Sequence, residues 1–382
     1  MSRDRLIVLG ATGSIGSQTL EIAERRSLDV VGLAARSASD ELVELARQWP
    51  QATVVVTGAT SDEQISFATR VGVDRCAFGS DAMTELAKVS GTVVNAVVGV
   101  AGLRATVAAL EAGNRLALAN KESLVAGGTV VLDALEAGGG ELIPVDSEHS
   151  AIAQLIEGTP RDHLRRIVLT ASGGPFRGAK RADLEEVTPE QALDHPTWQM
   201  GARITIDSAT LANKGLEVIE AAMLFDVDVD DIEVVVHPQS IVHSMIRLSD
   251  GALLAHLGET RMRHPIEYAL TYPDRADHFE AALDLTGMSL TFERPDTETF
   301  RALGLAYEAA RAGGSAPAVF NAADEIAVAA FLQRRLGFLE IPTVIERCLD
   351  EIPVGKPSDV EEVIEVDRRA RELAASLVAG AC

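Results

Sequence analysis

Cysteine is scarce in this chain, and long apolar runs are absent. Three cysteines in 382 residues, far apart in sequence, make neither a disulfide framework nor a zinc-binding motif. The longest apolar stretch, Val93 to Leu103, is interrupted by Asn95 and stopped by Arg104, so it falls short of the roughly 18 residues that a membrane span needs. Because the first residues lead directly into a strand pattern, we expect no secretory signal, a cytoplasmic protein and no membrane partner.

Positive charge is also in short supply. Asp and Glu outnumber Lys and Arg by 57 to 34, which gives a formal net charge of −23. Nucleic-acid partners are therefore not expected, because duplex binding depends on Lys and Arg that neutralise phosphates. A phosphorylated ligand would have to be held by local cations against the overall negative field. Only five of the 34 basic residues are Lys, and two of them, Lys121 and Lys214, lie in the motifs described below.

With 47% hydrophobic residues, a chain of this length can bury the cores of two or three domains. Residues 1–147 alternate short apolar runs with amphipathic stretches. This pattern is typical of a doubly wound, Rossmann-like α/β domain whose parallel sheet is covered on both faces. The predicted strands are Leu6–Leu9, Val30–Leu33, Thr53–Val56, Val93–Val98 and Leu116–Ala119, and the predicted helices include Ser17–Arg25, Asp40–Gln48 and Gly102–Glu111.

The pattern changes after residue 147. Residues 148–275 mix helices such as 149–156 and 211–224 with strands, which predicts an α+β domain, and the string at 249–251 predicts a hairpin turn between two of those strands. Residues 276–298 are interpreted as a linker with one strand-like piece at 289–292. Residues 299–382 are Ala-rich and contain four helical segments, which predicts a C-terminal helical bundle.

The first chemical motif is the glycine-rich string from Gly10 to Gly16, which follows a predicted strand and opens a predicted helix. Its glycines allow a tight turn and a close backbone approach to the pyrophosphate of a dinucleotide, although the same glycines would also suit a purely structural turn. Where NAD binders carry an acid, about 20 residues later, this chain has Arg36 and Ser37. A cation and a hydroxyl favour NADPH over NADH, and the alternative is that Arg36 is a solvated residue at a helix start.

Two further polar strings follow predicted strands. Asn120-Lys121-Glu122 ends a buried strand, at the edge where ligands bind in such sheets. Asp146 and Glu148 are two residues apart, and in an extended segment they would point to the same side and share one divalent ion. Carboxylate oxygens suit Mg²⁺ or Mn²⁺ better than zinc. The competing interpretation is an acidic helix start capped by Ser147, and the spacing alone leaves both open.

The string from Asp207 to Glu220 offers a group of hydrogen-bond donors that could bind a phosphate. Ser208, Asn213 and Lys214 together supply a hydroxyl, an amide and an ammonium. Glu217 is three residues beyond Lys214 on the same helix face, so an ordinary ion pair on a capped helix is the alternative interpretation.

The remaining polar clusters surround Ser172, His195 and His243. A single His is more often structural than catalytic, so these residues alone name no chemistry. The cluster at His195 carries Trp198 between a Pro and a Gly, which predicts a flap near residues 194–202 that can fold over a ligand.

Taken in order, these strings closely resemble the 1-deoxy-D-xylulose 5-phosphate reductoisomerases of the non-mevalonate isoprenoid pathway. The strings are GATGSIG, NKESLV, PVDSEHSA, SGGPFR, HPTWQMG, DSATLANKGLEVIEA, HPQSIVHSM and FNAADEIAVAAFL. The resemblance implies an NADPH-binding domain (1–147), a catalytic domain with a flap (148–275) and a helical bundle (299–382) in a homodimer. It also implies a divalent ion, Mg²⁺ or Mn²⁺ with Co²⁺ as a further candidate, and isomerisation and reduction of 1-deoxy-D-xylulose 5-phosphate to 2-C-methyl-D-erythritol 4-phosphate.

The resemblance implies roles for individual residues as well. NADPH would contact Thr12, Gly13, Ser14, Ile15, Arg36, Ser37, Asn120, Glu122 and Gly201. The metal would be held by Asp146, Glu148 and Glu217, and the sugar phosphate by Lys121, Ser147, Glu148, Ser172, His195, Ser208, Asn213, Lys214 and Glu217. Lys121, Glu148 and Glu217 are the candidate catalytic residues, with no single proton-transfer base assigned. Trp198 and Met200 would belong to the flap.

The chain departs from the family pattern at three places. It has Arg36-Ser37-Ala38 where Gly-Lys-Asn is common, Arg261 where an acid is usual, and Asp324 where Asn is usual. None of these departures removes a predicted metal ligand or a residue predicted to bind the substrate phosphate, so we expect the enzymatic activity to be retained. Two alternatives are a sibling NADPH-dependent reductoisomerase for another sugar phosphate and a non-catalytic NADPH-sensing regulator, which the retained carboxylates disfavour.

Overall fold

The computed structural model describes residues 5–198, 200–276 and 282–381, which divide into two compact units. The first unit contains residues 5–123, 129–150 and 261–276, and the second contains residues 124–128, 151–198, 200–260 and 282–381. Part of the predicted linker (277–281), Gln199 of the predicted flap and Cys382 lie outside the described residues. No helix in the described ranges is both long and apolar enough to cross a membrane.

A seven-stranded parallel sheet forms the centre of the first unit. Its strands are β1 (Arg5–Leu9), β2 (Asp29–Ala35), β3 (Thr53–Val56), β4 (Cys76–Phe78), β5 (Thr92–Asn95), β6 (Arg115–Leu118) and β7 (Glu141–Pro144). They lie in the order β4-β3-β2-β1-β5-β6-β7, and every neighbouring pair is parallel. The chain changes its direction of travel across the sheet between β1 and β5, as in a doubly wound fold, which confirms the predicted fold class.

All five strands predicted here are present, whereas β4 and β7 were missed. β4 has only three residues, each half-buried, and β7 begins at the exposed Glu141 and ends on a proline, so neither forms a continuous apolar run. β5 ends at Asn95, earlier than predicted. The Asn95 amide group donates to Gly102 O (3.1 Å) and Thr106 Oγ1 (2.8 Å), and its oxygen accepts the Val97 N–H (3.2 Å), so the chain leaves the sheet there.

Helices alternate with these strands. They are α1 (Ser14–Arg25), α2 (Asp40–Gln48), α3 (Ser61–Val71), α4 (Ser80–Ala87), α5 (Leu103–Glu111), α6 (Lys121–Gly127), α7 (Thr129–Gly138) and α8 (Ser147–Glu157). The sequence pattern predicted α1 to begin at Ser17, three residues late. The first turn, Ser14 to Gly16, carries no apolar stripe, because it belongs to the glycine-rich turn.

A four-stranded mixed sheet lies in the second unit. Its strands are β8 (Leu164–Ala171), β9 (Ile232–Val236), β10 (Val242–Leu248) and β11 (Leu253–Leu257), in the order β11-β10-β8-β9. β8 and β9 are parallel and the other two pairs are antiparallel. The predicted hairpin is confirmed, because β10 and β11 are joined by a tight turn in which Gly251 adopts φ +88° and the Leu248 N–H bonds to Ala252 O (2.8 Å).

The remaining helices are α9 (Pro189–Leu193), α10 (Ala202–Thr210), α11 (Ala212–Phe225), α12 (Arg263–Thr271), α13 (Ala302–Ala312), α14 (Ala316–Leu332), α15 (Ile341–Glu351) and α16 (Val360–Ala381). The last four are the predicted C-terminal helices. Gly215 lets α11 approach α13, because a Cβ at that position would lie only 2.5 Å from the Ala306 Cβ. Small residues thus bring the helix that carries Lys214 and Glu217 into the core shared with the bundle.

The helix α12 belongs to the first unit although it follows the second in sequence. Ile266 and Leu270 join the core beneath the parallel sheet. Glu267 accepts hydrogen bonds from Arg25 (3.1 Å) and Arg26 (3.2 Å) at the end of α1. The seven-stranded unit is therefore completed by a segment that lies more than a hundred residues downstream of β7.

The strand-like piece predicted at 289–292 is wrong as a strand. In the described part of the chain this region forms only an isolated bridge between Glu293 and Val236. Side chains hold it instead: the Phe292 ring stacks on His237 with ring centroids 4.7 Å apart, and Thr291 bonds to Gln239. Local apolar character there reflects packing onto the end of β9.

A buried group of charged side chains joins α10 to the bundle. Arg203 of α10 lies 2.6 Å from Glu325 Oε1 and 3.6 Å from Asp324 Oδ2 on α14, and 3.5 Å from Asp207 Oδ2 on its own helix. Asp324 is fully buried. Burial raises the pKa of Asp324 to about 6, although Arg203 and a hydrogen bond with Asp207 act in the opposite direction. One guanidinium thus faces three carboxyl groups, and Asp324 stays protonated up to a higher pH than an exposed carboxyl would.

Replacing Asp324 by Asn should stabilise the protein at high pH. A carboxyl whose pKa is raised on folding costs stability as the pH rises from about 4, its unfolded value, to about 6, its folded value, and the loss persists above that range. At 1.36 kcal/mol per pKa unit, the loss is roughly 3 kcal/mol, and Asn escapes it. Thermal unfolding of native and D324N protein should give similar midpoints at pH 4 and a higher midpoint for D324N, by about 5 °C or more, at pH 8. A pH-independent difference would contradict this assignment.

Candidate functional site

The predicted ligand-binding residues of the first unit lie at one edge of its sheet. The glycine-rich turn follows β1, Arg36 follows β2, Asn120 follows β6 and Asp146 follows β7. All seven strands are parallel, so their carboxyl ends share this edge, and the turn after β1 lies beside the point where the strand order reverses. Doubly wound sheets bind ligands at this place.

The glycine-rich turn is shaped by two close backbone approaches. Gly10 adopts φ +85°, and a Cβ there would lie 2.5 Å from Ala96 O. A Cβ on Gly16 would lie 2.2 Å from Gly10 O and 2.8 Å from the Ala11 backbone. Gly13 is the N-cap of α1, and among the described residues no side chain caps that end of the helix. The helix therefore presents backbone N–H groups and the positive end of its dipole, as an anion site requires.

Arg36 and Ser37 are both exposed directly after β2. The Arg36 backbone is fixed from the neighbouring strand, because its carbonyl accepts the Gly58 N–H at 2.8 Å. The side chain is thereby left at the sheet edge rather than in the core. This placement agrees with either of the two interpretations left open above.

Asn120 has a structural task that its position in the sequence did not reveal. It is 1% exposed, and its amide group donates to the carbonyls of Val97 and Gly99 (2.8 Å for the latter). Its oxygen accepts the Ser123 N–H at 2.7 Å, at the start of α6. Asn120 therefore fixes the loop that follows β5, in which Val98 is 74% exposed at the same sheet edge. Sequence reasoning missed this loop because its residues carry no polar side chain.

Lys121 and Asp146 form a buried ion pair between the ends of β6 and β7. Burial alone would raise the pKa of Asp146, but the ammonium of Lys121 and a hydrogen bond with His149 hold it well below its ordinary value. Asp146 is therefore a carboxylate at neutral pH. The sequence contained both residues but offered no sign that they meet, since 24 residues separate them.

The interpretation of Asp146 and Glu148 as neighbours in an extended segment is wrong. β7 ends at Pro144 and α8 begins at Ser147, so Glu148 lies in the first helical turn, where the Ser147 hydroxyl donates to it. The acidic helix start that was left open as the alternative is thus present, but Ser147 is the first residue of the helix rather than its cap. It does not exclude a metal, because carboxylates at a helix start remain able to ligate one.

Three predicted substrate residues of the second unit meet, because Ser172 and Ser208 both contact His195. Its Nε2 lies 3.0 Å from Ser172 Oγ and 3.2 Å from Ser208 Oγ, which come from the end of β8 and from α10. Its Nδ1 accepts the backbone N–H groups of Thr197 (3.1 Å) and Trp198 (2.9 Å). Nε2 must therefore carry the proton of the neutral ring and donate to a serine. Burial lowers the pKa of His195 and favours this neutral form.

A glycine makes this meeting of segments sterically feasible. Gly174 adopts φ +66°, and a Cβ there would lie 2.8 Å from Ser208 O. Its N–H donates to Ser172 Oγ at 3.2 Å. The loop after β8 can therefore lie directly on α10 and hold two hydroxyl groups next to one imidazole.

The other predicted donors lie on the first turns of α11. Leu211, in the left-handed conformation at φ +63°, separates α10 from α11. Asn213 and Lys214 both donate to the carboxylate of Glu217, which is 1% exposed. An amide, an ammonium and a carboxylate are thus gathered in a buried place, and the predicted Lys–Glu pair is present.

The flap residues connect these groups. Thr197 and Trp198 are held by the His195 ring, and Gly201 is the N-cap of α10, with the Thr205 hydroxyl bonded to Gly201 O at 2.9 Å. Met200 lies between them in irregular structure. The segment is therefore anchored at both ends to residues that hold Ser208.

Models of one enzyme family match three stretches of the chain. The model described as 1-deoxy-D-xylulose 5-phosphate reductoisomerase matches residues 6–128. The model of the C-terminal domain of 1-deoxy-D-xylulose 5-phosphate reductoisomerase matches residues 142–225, and the one described as DXP reductoisomerase C-terminal domain matches residues 257–373. Together they span most of both units.

Named relatives and solved structures agree with these models. The chain is 45% identical to the 1-deoxy-D-xylulose 5-phosphate reductoisomerase of Zymomonas mobilis, covering 99% of both chains, and 48% identical to that of Chlorobium chlorochromatii, covering 97% of this chain and 98% of the relative. The Zymomonas mobilis enzyme in complex with NADPH has a TM-score of 0.91 at 43% identity, with 98% of both chains covered. A DOX-P reductoisomerase in complex with NADPH, fosmidomycin and magnesium has a TM-score of 0.92 at 36% identity, with the same coverage.

Proposed function

Because the chain belongs to the 1-deoxy-D-xylulose 5-phosphate reductoisomerase family, we propose that it converts this sugar phosphate to 2-C-methyl-D-erythritol 4-phosphate, a step of isoprenoid biosynthesis, with NADPH and a divalent metal ion. The observation that carries the proposal is that Ser172, His195 and Ser208 are in contact. These residues come from three of the motifs that resemble the family, and all three lie in the second unit. The chain is an oxidoreductase, and the contacts that the proposed residues make within each unit support their assignment to the site.

The glycine-rich turn fits NADPH. The uncapped start of α1 suits the pyrophosphate, and the proposed contacts of Thr12, Gly13, Ser14 and Ile15 lie on that turn. Arg36 and Ser37, exposed after β2, suit a 2′-phosphate. Further contacts are proposed for Asn120, Glu122 and Gly201. Asn120 would act through the loop it holds after β5, since its amide is already bonded there.

The proposed metal ligands Asp146, Glu148 and Glu217 are all carboxylates, the donor type that Mg²⁺ and Mn²⁺ prefer. Asp146 is ionised, and Asp146 and Glu217 each bond to a lysine ammonium, so their surroundings already stabilise a positive charge. These residues fit a divalent cation. When bound, the metal supplies Lewis acidity at the ketone and its neighbouring hydroxyl, and NADPH supplies the hydride.

The phosphate of the substrate is assigned to the donors of the second unit. Ser172, Ser208, Asn213 and Lys214 offer hydroxyl, amide and ammonium groups, and His195 orients the two serines. Lys214 is one of few cations in a protein of net charge −23, so its ammonium gives the anion a local partner. Binding energy at this remote group can be used to close the flap and exclude water from the reacting carbons.

We also propose a homodimer in the cytoplasm. The edge strand β11 carries Leu253 and Leu254, which are 45% and 39% exposed, and an exposed apolar edge strand is a surface that a second copy can cover. Cys76 and Cys348 are free thiols, as expected in a reducing compartment. The domain assignment, with catalysis in residues 148–275 and the bundle in 299–382, remains a proposal with one change. Residues 261–276, which include α12, pack with the first unit and leave the proposed catalytic domain.

The assay that tests the function follows NADPH oxidation with 1-deoxy-D-xylulose 5-phosphate and Mg²⁺ or Mn²⁺. We expect turnover that a chelator abolishes and that added metal restores. NADPH binding without turnover, followed by activity on another sugar phosphate, would replace the proposal by the sibling reductoisomerase. NADPH binding without activity on any sugar phosphate would favour a regulator.

A further inference from the structure

Both ends of the flap are tied by arginine–carboxylate contacts to the region of α14. Before the flap, Glu190 of α9 accepts two hydrogen bonds of 2.6 Å from Arg334, two residues beyond the end of α14. After the flap, Arg203 in the first turn of α10 bonds to Glu325 (2.6 Å) and Asn321 (3.0 Å) of α14. The two ties differ in burial, since the Glu190 pair is exposed whereas Arg203 is 19% exposed.

The buried tie is reinforced from a third helix. Glu325 also bonds to Arg371 of α16, and Arg371 in turn lies 2.6 Å from Asp367. Arg203 therefore meets a carboxylate whose own position is fixed. A planar guanidinium that engages Glu325 and Asn321 at the same time sets both the position and the direction of the first turn of α10.

That turn is connected to the flap at one end and to a proposed substrate donor at the other. Gly201, the N-cap of α10, ends the flap, and Ser208 lies five residues after Arg203 on the same helix. The hydroxyl of Ser208 is held 3.2 Å from His195, which itself caps the backbone of Trp198. A small tilt of α10 would therefore move Ser208 and the flap relative to His195 together.

We propose that Arg203 is a positioning residue for the reaction, which fixes the end of the flap and the Ser208 hydroxyl by anchoring α10 to Asn321 and Glu325 of the bundle. Arg203 acts through α10 and is not itself a group that reacts. The inference rests on the proposed function, because the flap is taken to close over a sugar phosphate.

The test compares R203M with R203K and a matched control. R203M keeps the apolar stem and loses the anchor, and we expect kcat to fall about 30-fold and KM for the sugar phosphate to rise about tenfold, with the Kd for NADPH within twofold of native. R203K retains the charge but not the planar fork that holds Glu325 and Asn321 together, so it should recover only part of kcat. The control R301M removes the Arg301–Glu346 pair, another interhelical arginine contact of the bundle region, and should leave both kinetic constants unchanged.

Two results would overturn the proposal. One is an R203M enzyme with native kcat and KM per folded molecule. The other is an equal loss in R203M and R301M, which would show that general stability of the bundle is the cause.

A fluorescence readout separates this inference from the proposed function. The chain has two tryptophans, so in a W49F background Trp198 of the flap is the sole emitter. R203M should then increase the quenching of Trp198 by acrylamide about twofold, without any substrate, whereas R301M should not. An unchanged quenching constant in R203M would overturn the positioning role. If quenching of Trp198 rises in R203M while the native protein shows no turnover, the proposed function is wrong, but the role of Arg203 in positioning α10 is supported.

Discussion

Replacing Glu217 by Gln should lower turnover by roughly three orders of magnitude while NADPH binding stays intact. Gln has the same shape and keeps an oxygen for the Asn213 amide, but it removes the charge that Lys214 and a divalent ion would share. Glu217 is 1% exposed, so solvent cannot replace that charge. Turnover is measured by NADPH oxidation under saturating metal, and NADPH affinity is measured separately by titration.

A surface pair provides the matched control for this variant. Glu85 and Lys88 have the same three-residue relation as Lys214 and Glu217 but are exposed, with 2.6 Å between Lys88 Nζ and Glu85 Oε1. E85Q should have the same turnover and stability as the native protein within experimental error, because exposed ion pairs contribute little to stability. An E217Q enzyme with native turnover would remove Glu217 from the set of proposed metal ligands.

The second large effect is expected from G16A. The added methyl would overlap Gly10 O at 2.2 Å and the Ala11 backbone at 2.8 Å, and neither neighbour is a flexible side chain that can move away. The turn and the start of α1 would have to separate, which should cost roughly 3 kcal/mol of unfolding free energy and abolish NADPH binding. Thermal unfolding with and without NADPH measures both consequences, and the ligand-induced rise in Tm should disappear.

The variant G13A distinguishes an effect on NADPH binding from an effect on folding stability within the same motif. The nearest atom to a Cβ on Gly13 is Gly10 O at 3.3 Å, and the residue has an ordinary φ of −85°. Its stability should therefore remain within about 1 kcal/mol of native, while the methyl group at the helix start obstructs the pyrophosphate and weakens NADPH binding. Equal stability loss in G13A and G16A would contradict this account.

The sequence pattern predicted the fold where periodicity is strong. Short apolar runs located β1, β2, β3, β5 and β6, and the alternating runs around the turn at 249–251 located β10 and β11. The pattern failed where the apolar or polar character of the residues does not reveal whether they lie in a strand. The three-residue β4 carries half-buried side chains, and the strand-like piece at 289–292 is apolar only because Phe292 packs on His237.

Site prediction succeeded for residue types and failed for partners. The motifs indicated Lys121, Asp146, His195, Ser172 and Ser208, but not that Lys121 pairs with Asp146 or that the His195 ring joins two serines. The first contact depends on the order of the strands in the sheet, and the second brings together a strand end, a loop and a helix. Local spacing in the sequence reveals neither. The link of Glu217 to Asp146 and Glu148 came from the family resemblance alone.

The return of α12 to the first unit has a consequence for biosynthesis. A ribosome that has finished β7 must still translate residues up to 271 before Ile266 and Leu270 can fill the core and Glu267 can reach Arg25. At roughly 5–20 residues per second, the nascent nucleotide-binding sheet waits on the order of ten seconds for its last helix. Chains truncated before α12 should therefore expose apolar surface and be captured by chaperones, whereas completed chains close their own core.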